Sequence, residues 1–239
     1  MEKNKQFMKI KHGMILAAGL GKRMKPFTNK KPKPLLEIGG STLLERAINL
    51  LINHGVEEII VNIHHLANQI EKFILDFKSE VKISVSNEKD ILLDTGGGVK
   101  KGTKKFKDNP FFVINPDTLW SNKYSEEVQS LEKVYYTNKR PCLLLVKKEL
   151  SLDNSFKGDF NLNNNLISKD EHNQFIFTGL QIMTNDHLNF FKKNIFSMNE
   201  VWTKLISENN LGGLESNQKF YHLNTLKMFK KISSLSPID

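Results

Sequence analysis

One cysteine, Cys142, stands in a chain of 239 residues. That excludes a disulfide framework and a thiolate metal cluster, and it suits a reducing cytoplasm. No apolar run approaches the roughly 20 residues a membrane helix requires. The opening stretch, MEKNKQFMKIKHG, is too polar for the core of a signal peptide. Residues 1–11 read as frayed, with Met8 a possible second start. The expectation is a cytoplasmic protein with no membrane partner. Arginine is scarce as well, three of 35 basic residues, although the formal charge is +9. A positive balance suits nucleic acid, membrane surfaces or small polyanions. The lysines are spread along the chain, with no basic stripe interleaved with aromatics and no nucleic-acid module. Nucleic acid is therefore not an expected partner. Also missing is any Ser/His/Asp or Cys/His arrangement for nucleophilic catalysis. His12, His54, His64, His65, His172 and His187 show no metal spacing, and the His64-His65 pair reads as packing at a helix start.

What is present alternates regularly. Met14–Ala18 is apolar without polar/apolar alternation, as expected of a strand covered on both faces. Ser41-Thr42 before Leu43-Leu44-Glu45 reads as a helix cap with an acid in the first turn. Leu43, Leu44, Ala47, Ile48, Leu51 and Ile52 then recur at helical spacing up to His54-Gly55. Glu58–Ile63 reads as a strand, Leu66–Phe77 as a helix and Val81–Val85 as a strand. This succession implies right-handed crossovers and a parallel sheet. Asp94-Thr95-Gly96-Gly97-Gly98 reads as a break before a short helix, Val99–Phe106. Further strands are expected at Pro110–Asn115, Cys142–Val146, Phe175–Met183 and Lys219–Leu223. Helices are expected at Glu126–Val134, Met198–Ser207 and Thr225–Ile232. The polar, Asn-rich residues 151–174 read as a hairpin lobe. One domain over 1–239 follows.

The stretch that organises the chain is MILAAGLGKRMKPFTNKKPKPLL, Met14 to Leu36. A buried strand feeds a small-residue turn, Gly19-Leu20-Gly21, followed by six cations between Lys22 and Lys33. Glycines let backbone N–H groups approach an anion, and cations offset its charge. Two phosphate motifs are excluded. A dinucleotide fingerprint needs a glycine where Met24 stands. A Walker loop needs Ser or Thr where Arg23 follows Lys22.

The stretch resembles the signature of sugar-1-phosphate nucleotidyltransferases, L-A-A-G-x-G-x-R-M-x-P-x-T followed by x-P-K-P-L. The chain supplies Leu16-Ala17-Ala18-Gly19, Gly21, Arg23-Met24, Pro26, Thr28 and Pro32-Lys33-Pro34-Leu35. Further stretches look like the short bacterial uridylyltransferases acting on N-acetylmuramic acid 1-phosphate. They are Asn62–Glu71, Leu93–Gly98, Asn115–Trp120, Lys157–Phe160 and Phe177–Leu180. Short mannose-1-phosphate guanylyltransferases share much of this. The resemblance implies an α/β, Rossmann-like three-layer fold of the nucleotide-diphospho-sugar transferase type. Its central sheet would be mixed but mostly parallel, with a nucleotide-binding half at 1–120, a sugar-binding half at 121–239 and a small sugar-binding lobe. The implied reaction joins a sugar 1-phosphate to a nucleoside triphosphate, UTP with a muramic-acid-type or related sugar or, alternatively, GTP with mannose 1-phosphate, and supplies cell-wall or polysaccharide precursors. The implied partners are those two small molecules, with the protein a monomer or small homo-oligomer.

The resemblance also implies roles. Leu16, Ala17, Ala18, Gly19 and Gly21 would wrap the nucleotide, with Arg23 on the triphosphate and Lys33 where the two substrates' phosphates meet. Thr95, Gly96 and Gly97 would lie against the base, with Asn87 and Glu88 as further base contacts. Asp159, Thr178 and Gly179 would frame the sugar. Asp117 would hold Mg²⁺, with Pro116 in place of the usual small residue. The family's W-x-D-V-G-T pattern, which carries a second metal carboxylate, aligns with Phe220-Tyr221-His222-Leu223-Asn224-Thr225, so His222 stands at that position. Imidazole suits Zn, Mn or Fe better than Mg²⁺. Two expectations follow: an active enzyme in which His222 adapts to the second metal position, or a binding protein that has lost catalysis and serves as a regulatory subunit.

Overall fold

The computed structural model describes residues 9–235. The expectation for Met8 falls on residues 1–8, outside the described residues. Of the stretch 1–11 expected to be frayed, the described part is fixed, with Ile10 buried in the core and its N–H donating to Glu132 Oε1 at 2.5 Å. The strands are β1 (His12–Leu16), β2 (Glu37–Ile38), β3 (Ser41–Thr42), β4 (Glu58–Ile63), β5 (Lys82–Asn87) and β6 (Phe111–Ile114). They continue with β7 (Cys142–Lys147), β8 (Asn161–Asn163), β9 (Leu166–Ser168), β10 (Phe175–Met183) and β11 (Gly212–Ser216). The helices are α1 (Leu43–His54), α2 (Ala67–Asp76), α3 (Asp94–Thr103), α4 (Ser125–Asn138), α5 (Asp186–Asn189), α6 (Met198–Ser207) and α7 (Leu226–Ser233).

Nine strands form one sheet in the order β5-β4-β1-β6-β10-β7-β11-β9-β8. Strands β5, β4, β1 and β6 are parallel. Strand β10 enters antiparallel between β6 and β7, and β11 is parallel to β7. The sheet is mixed and mostly parallel, as expected. Successive residues of each central strand serve opposite faces. Ile15, Phe112, Ile114 and Leu144 join the core under α1, α2 and α4. Met14, Phe111, Val113, Leu143 and Leu145 join the core under α3 and α6. Burial on both faces is why these strands lack polar alternation. Helix α1 starts at the expected cap. Thr42 Oγ1 accepts from Glu45 N–H at 3.0 Å, and Glu45 Oε2 accepts from Thr42 N–H at 3.3 Å.

Three expectations are corrected. The glycine run is not a break: α3 begins at Asp94 and contains Gly96, Gly97 and Gly98. A Cβ at Gly96 would fall 2.5 Å from the Phe196 ring, and one at Gly97 would fall 2.1 Å from Asn194 O. Close packing outweighs the weak helix propensity of glycine. The last strand of the sheet is Gly212–Ser216 rather than Lys219–Leu223. Residues 219–223 instead form a strap with single bridges, Thr118 to His222 and Ser151 to Phe220. The first strand ends at Leu16, so Ala17 and Ala18 already belong to the loop. Among the described residues no helix is long and apolar enough to cross a membrane.

Candidate active site

At the carboxyl end of β1 the chain turns through Ala17–Gly21 into a tight turn at Lys22–Met24, a second at Phe27–Asn29 and a third at Lys33–Leu35. The loop is braced from several sides. Thr28 Oγ1 donates to Gly21 O at 2.9 Å, and Met24 N–H donates to the same oxygen at 2.8 Å. Just before α2, His65 Nε2 lies 2.7 Å from Thr28 O, and in the first turn of α2 Gln69 Nε2 donates to Lys30 O at 2.9 Å. Gly21 has φ of +60°, and a Cβ there would lie 2.7 Å from Thr28 Cγ2. Gly19 is the opposite case. A Cβ there meets nothing within 4 Å, so the folded chain has no steric need for glycine. The space Gly19 leaves belongs to the cavity beside it.

That cavity, about 340 Å³, is lined by Leu16, Ala17, Ala18, Gly19, Gly21, Arg23, Lys33, Thr95 and Asp117. The structure thus brings together the loop residues, Arg23, Glu88 and Thr95 expected around the nucleotide, but not Gly96, Gly97 or Asn87. Gly96 faces Phe196 and Gly97 faces Asn194 inside the protein, and Asn87 lines a separate depression. Thr95 lines the cavity while its Oγ1 accepts from Met198 N–H at 2.9 Å. Behind the loop runs a polar relay that the sequence reading did not assemble. Asn62 Oδ1 accepts from Ala17 N–H at 2.7 Å, and Asn62 Nδ2 donates to Glu88 Oε1 at 2.8 Å. Glu88 Oε2 accepts from Leu93 N–H at 3.1 Å. The relay fixes the ends of β1, β4 and β5 against the start of α3. Asn62 and Glu88 are buried, so each polar end needs its partner. Their separation of 26 residues leaves no local signal.

β6 delivers Asp117. Its Oδ2 lies 2.7 Å from Lys33 Nζ and 3.2 Å from His222 Nε2. Main-chain bonds make the second contact: Leu223 N–H donates to Asp117 O, and Leu119 N–H donates to Tyr221 O, both at 2.8 Å. Phe220 and Phe156 flank the imidazole, with ring centroids 5.8 and 5.7 Å away. Burial alone would raise the Asp117 pKa. Lys33 and His222 overcome burial and hold the carboxyl far below its usual range. The other oxygen, Asp117 Oδ1, is buried with no hydrogen-bond partner among the described residues. Asn224 Oδ1, in the wall of the same cavity, is in the same condition. Asn224 Nδ2 donates to Asp153 Oδ2 at 2.9 Å, so an unforeseen carboxylate stands behind this corner. Glu215, the nearest acid preceding His222, instead pairs with Lys147 at 3.0 Å.

A second cavity, about 250 Å³, shares Asn115 and Asp117 with the first. Asp159, Thr178, Gly179 and His222 line it, with Phe156, Phe160, Phe177 and Trp202 as aromatic walls. The three residues expected at the sugar are therefore together, but their polar ends differ in availability. Thr178 Oγ1 donates to Leu144 O at 2.8 Å, within the sheet. Asp159 Oδ2 accepts from Phe177 N–H at 2.9 Å, leaving its second oxygen. Gly179 has φ of +98°, at a register shift between β10 and β7, and a Cβ there would press on Asn115 at 3.0 Å.

Residues 12–143 match a family model described as nucleotidyl transferase. An N-acetylmuramate alpha-1-phosphate uridylyltransferase from Caulobacter vibrioides is 28% identical over 221 residues, covering 89% of this chain and 91% of the relative. A protein of the same description from Neisseria meningitidis is 36% identical over 118 residues, 49% of this chain and 51% of its own length. Among solved structures, a putative glucose-1-phosphate thymidylyltransferase from Bacillus anthracis superposes with a TM-score of 0.78 at 18% identity, covering 95% and 96% of the two chains. That likeness carries the fold.

Proposed function

The chain belongs to the nucleotidyl transferase family, and we propose that it joins a sugar 1-phosphate of muramic-acid type to the α-phosphate of UTP, releasing pyrophosphate. One observation carries this reading. Asp117, with Lys33 and His222 on one of its oxygens, is the wall shared by two cavities, one built by the glycine loop and one by aromatic side chains. The Caulobacter relative supports the choice of base and sugar.

The nucleophile is a phosphate oxygen of the sugar substrate. Its second pKa is about 6, so it is already ionised near neutral pH and needs no protein base. The protein's work is alignment for in-line displacement and charge neutralisation. Leu16 to Gly21 hold the nucleotide against the end of β1. Arg23 grips the triphosphate with its planar fork, and Lys33 offers a point charge where the two phosphates meet. Asp159 accepts from a sugar hydroxyl.

Asp117 is the proposed Mg²⁺ residue. Its unpartnered Oδ1 fits a hard cation, and Asn224 Oδ1 is a second oxygen of the right kind. His222 fits Mg²⁺ less well, because its Nε2 faces Asp117 Oδ2 rather than an open position. The ion supplies charge neutralisation and orientation of phosphate oxygens. The protein would act in the cytoplasm, toward cell-wall or polysaccharide precursors.

The same His222 contact favours a second reading, a binding protein that has lost catalysis. The test is purified protein with Mg²⁺, four nucleoside triphosphates and a panel of sugar 1-phosphates, reading pyrophosphate. Turnover that disappears in Asp117→Ala supports the enzyme. Saturable nucleotide binding without pyrophosphate from any pair supports the second reading.

A further inference from the structure

The second cavity contains a cation that the proposed reaction does not use. Lys169 follows β9 and lines this cavity. Its Nζ sits 5.8 Å from the centroid of the Phe160 ring, and Phe160 in turn meets Trp202 edge-on at 5.7 Å. Lys33, one of the cations of the first cavity, is held at 2.7 Å by Asp117. Lys169 has no carboxylate within ion-pair distance among the described residues. Its neighbour Asp170 is engaged elsewhere, with Asn161 Nδ2 on Oδ2 at 2.9 Å and His172 N–H on Oδ1 at 2.7 Å. The other polar ends on this wall are mostly spent. Thr178 Oγ1 bonds Leu144 O, Thr118 Oγ1 bonds Thr178 O, and Trp202 Nε1 bonds Gln181 Oε1. An ammonium held over an aromatic face, unpaired and at the edge of a sugar-sized cavity, is suited to an anion on the ligand.

We propose that Lys169 is a specificity-determining residue that reads a carboxylate on the sugar, so that the cavity favours an acidic sugar 1-phosphate over its neutral counterpart. This deepens the proposed function and rests on it for the location of the sugar. Asp117 in this cavity is already met by Lys33, but Asp159 has no cation within ion-pair distance among the described residues and would repel an acidic sugar if nothing offset it. Lys169 supplies that offset and the direction in which the carboxylate points. Two anions could meet Lys169, the sugar's carboxylate or its 1-phosphate, and the experiment separates them.

N-acetylmuramic acid 1-phosphate and N-acetylglucosamine 1-phosphate differ only in the lactyl ether that bears the carboxylate. For both sugars, kcat/KM would be measured by pyrophosphate release in wild type, Lys169→Gln, Lys169→Glu and Lys169→Arg. Binding of each sugar phosphate would be followed in parallel through the fluorescence of Trp202, which needs no turnover. The expected result is a wild-type preference for the acidic sugar. Lys169→Gln loses roughly 10- to 100-fold on the acidic sugar alone, Lys169→Glu loses more, and Lys169→Arg retains most. Equal losses on both sugars assign Lys169 to the phosphate and overturn the proposal. An unchanged ratio, a wild-type preference for the neutral sugar, or no binding of either sugar also overturns it. Absent turnover with selective binding of the acidic sugar leaves Lys169 as assigned and defeats the catalytic reading instead.

Discussion

The two cavities that meet at Asp117 are made in different ways. The first is made of backbone. Leu16 to Gly21 follow one another directly, and Thr28, His65, Gln69 and Asn62 hold that loop by its carbonyls and N–H groups. The second is made of side chains from distant segments: Phe156 and Asp159 before β8, Lys169 after β9, Thr178 in β10, Trp202 in α6 and His222 in the strap. A nucleotide's phosphates are constant in shape and charge, so a fixed backbone cradle suits them. Sugars differ in hydroxyls and substituents, and interchangeable side chains on separate segments can follow those differences without disturbing the sheet.

The comparison can be attacked first at its hinge. Asp117→Ala should lower turnover about 1000-fold or more while nucleotide affinity changes far less, as read by pyrophosphate release and calorimetry. Comparable losses in both would place Asp117 in ground-state binding rather than at the reacting phosphate. Next come the two loop glycines. Gly21→Ala forces a Cβ against Thr28 at positive φ and should cost about 1–3 kcal/mol of stability in thermal unfolding. Gly19→Ala should leave stability within about 0.5 kcal/mol yet weaken nucleotide binding about tenfold, because its Cβ enters the cavity. Equal effects of the two on stability would show that Gly19 is a folding glycine after all.

His222→Asp places a second carboxylate beside Asp117 and should lower the Mg²⁺ concentration for half-maximal activity about tenfold. An unchanged requirement would mean the ion does not reach that corner. Thr178→Val removes a buried bond to Leu144 O and should cost about 1 kcal/mol, with the sugar KM nearly unchanged. A large rise in KM would return the hydroxyl to the sugar. The smallest effect concerns Cys142. It is buried, and burial pushes its thiol up to about 12, so the native protein should resist thiol reagents until unfolded.

The same contrast governs what was legible in the amino-acid sequence. Backbone cradles leave consecutive marks, which is why Leu16 to Lys33 could be read as a phosphate site from glycines and cations alone. The parallel half was legible too, because strands buried on both faces are unbroken apolar runs. Legibility failed where long-range packing decides local structure. Gly96 to Gly98 look like a break, and only Phe196, Asn194 and the Asn62–Glu88 pair show why a helix must be bare there. β11 has two glycines in five residues, and it is a strand because it lies against β7. Lys219 to Leu223 read as a sheet strand, yet its bonding partners at 117–119 and 150–152 lie about 70 to 100 residues away. Lys169 and Asp153 carry no motif, so only the folded chain relates them to the site.

The strap bears on how such a protein can change over generations. Its attachment at Asp117 uses the main-chain groups of Tyr221, Leu223 and Leu119, and none of these bonds involves the side chain at 222. The main chain therefore delivers whatever residue stands at 222 to the same spot beside Asp117. A histidine can replace a carboxylate there, or the reverse, without the segment losing its address. The corner proposed for the metal is open to single-step exchange, while the glycine loop, locked by its own backbone, is not.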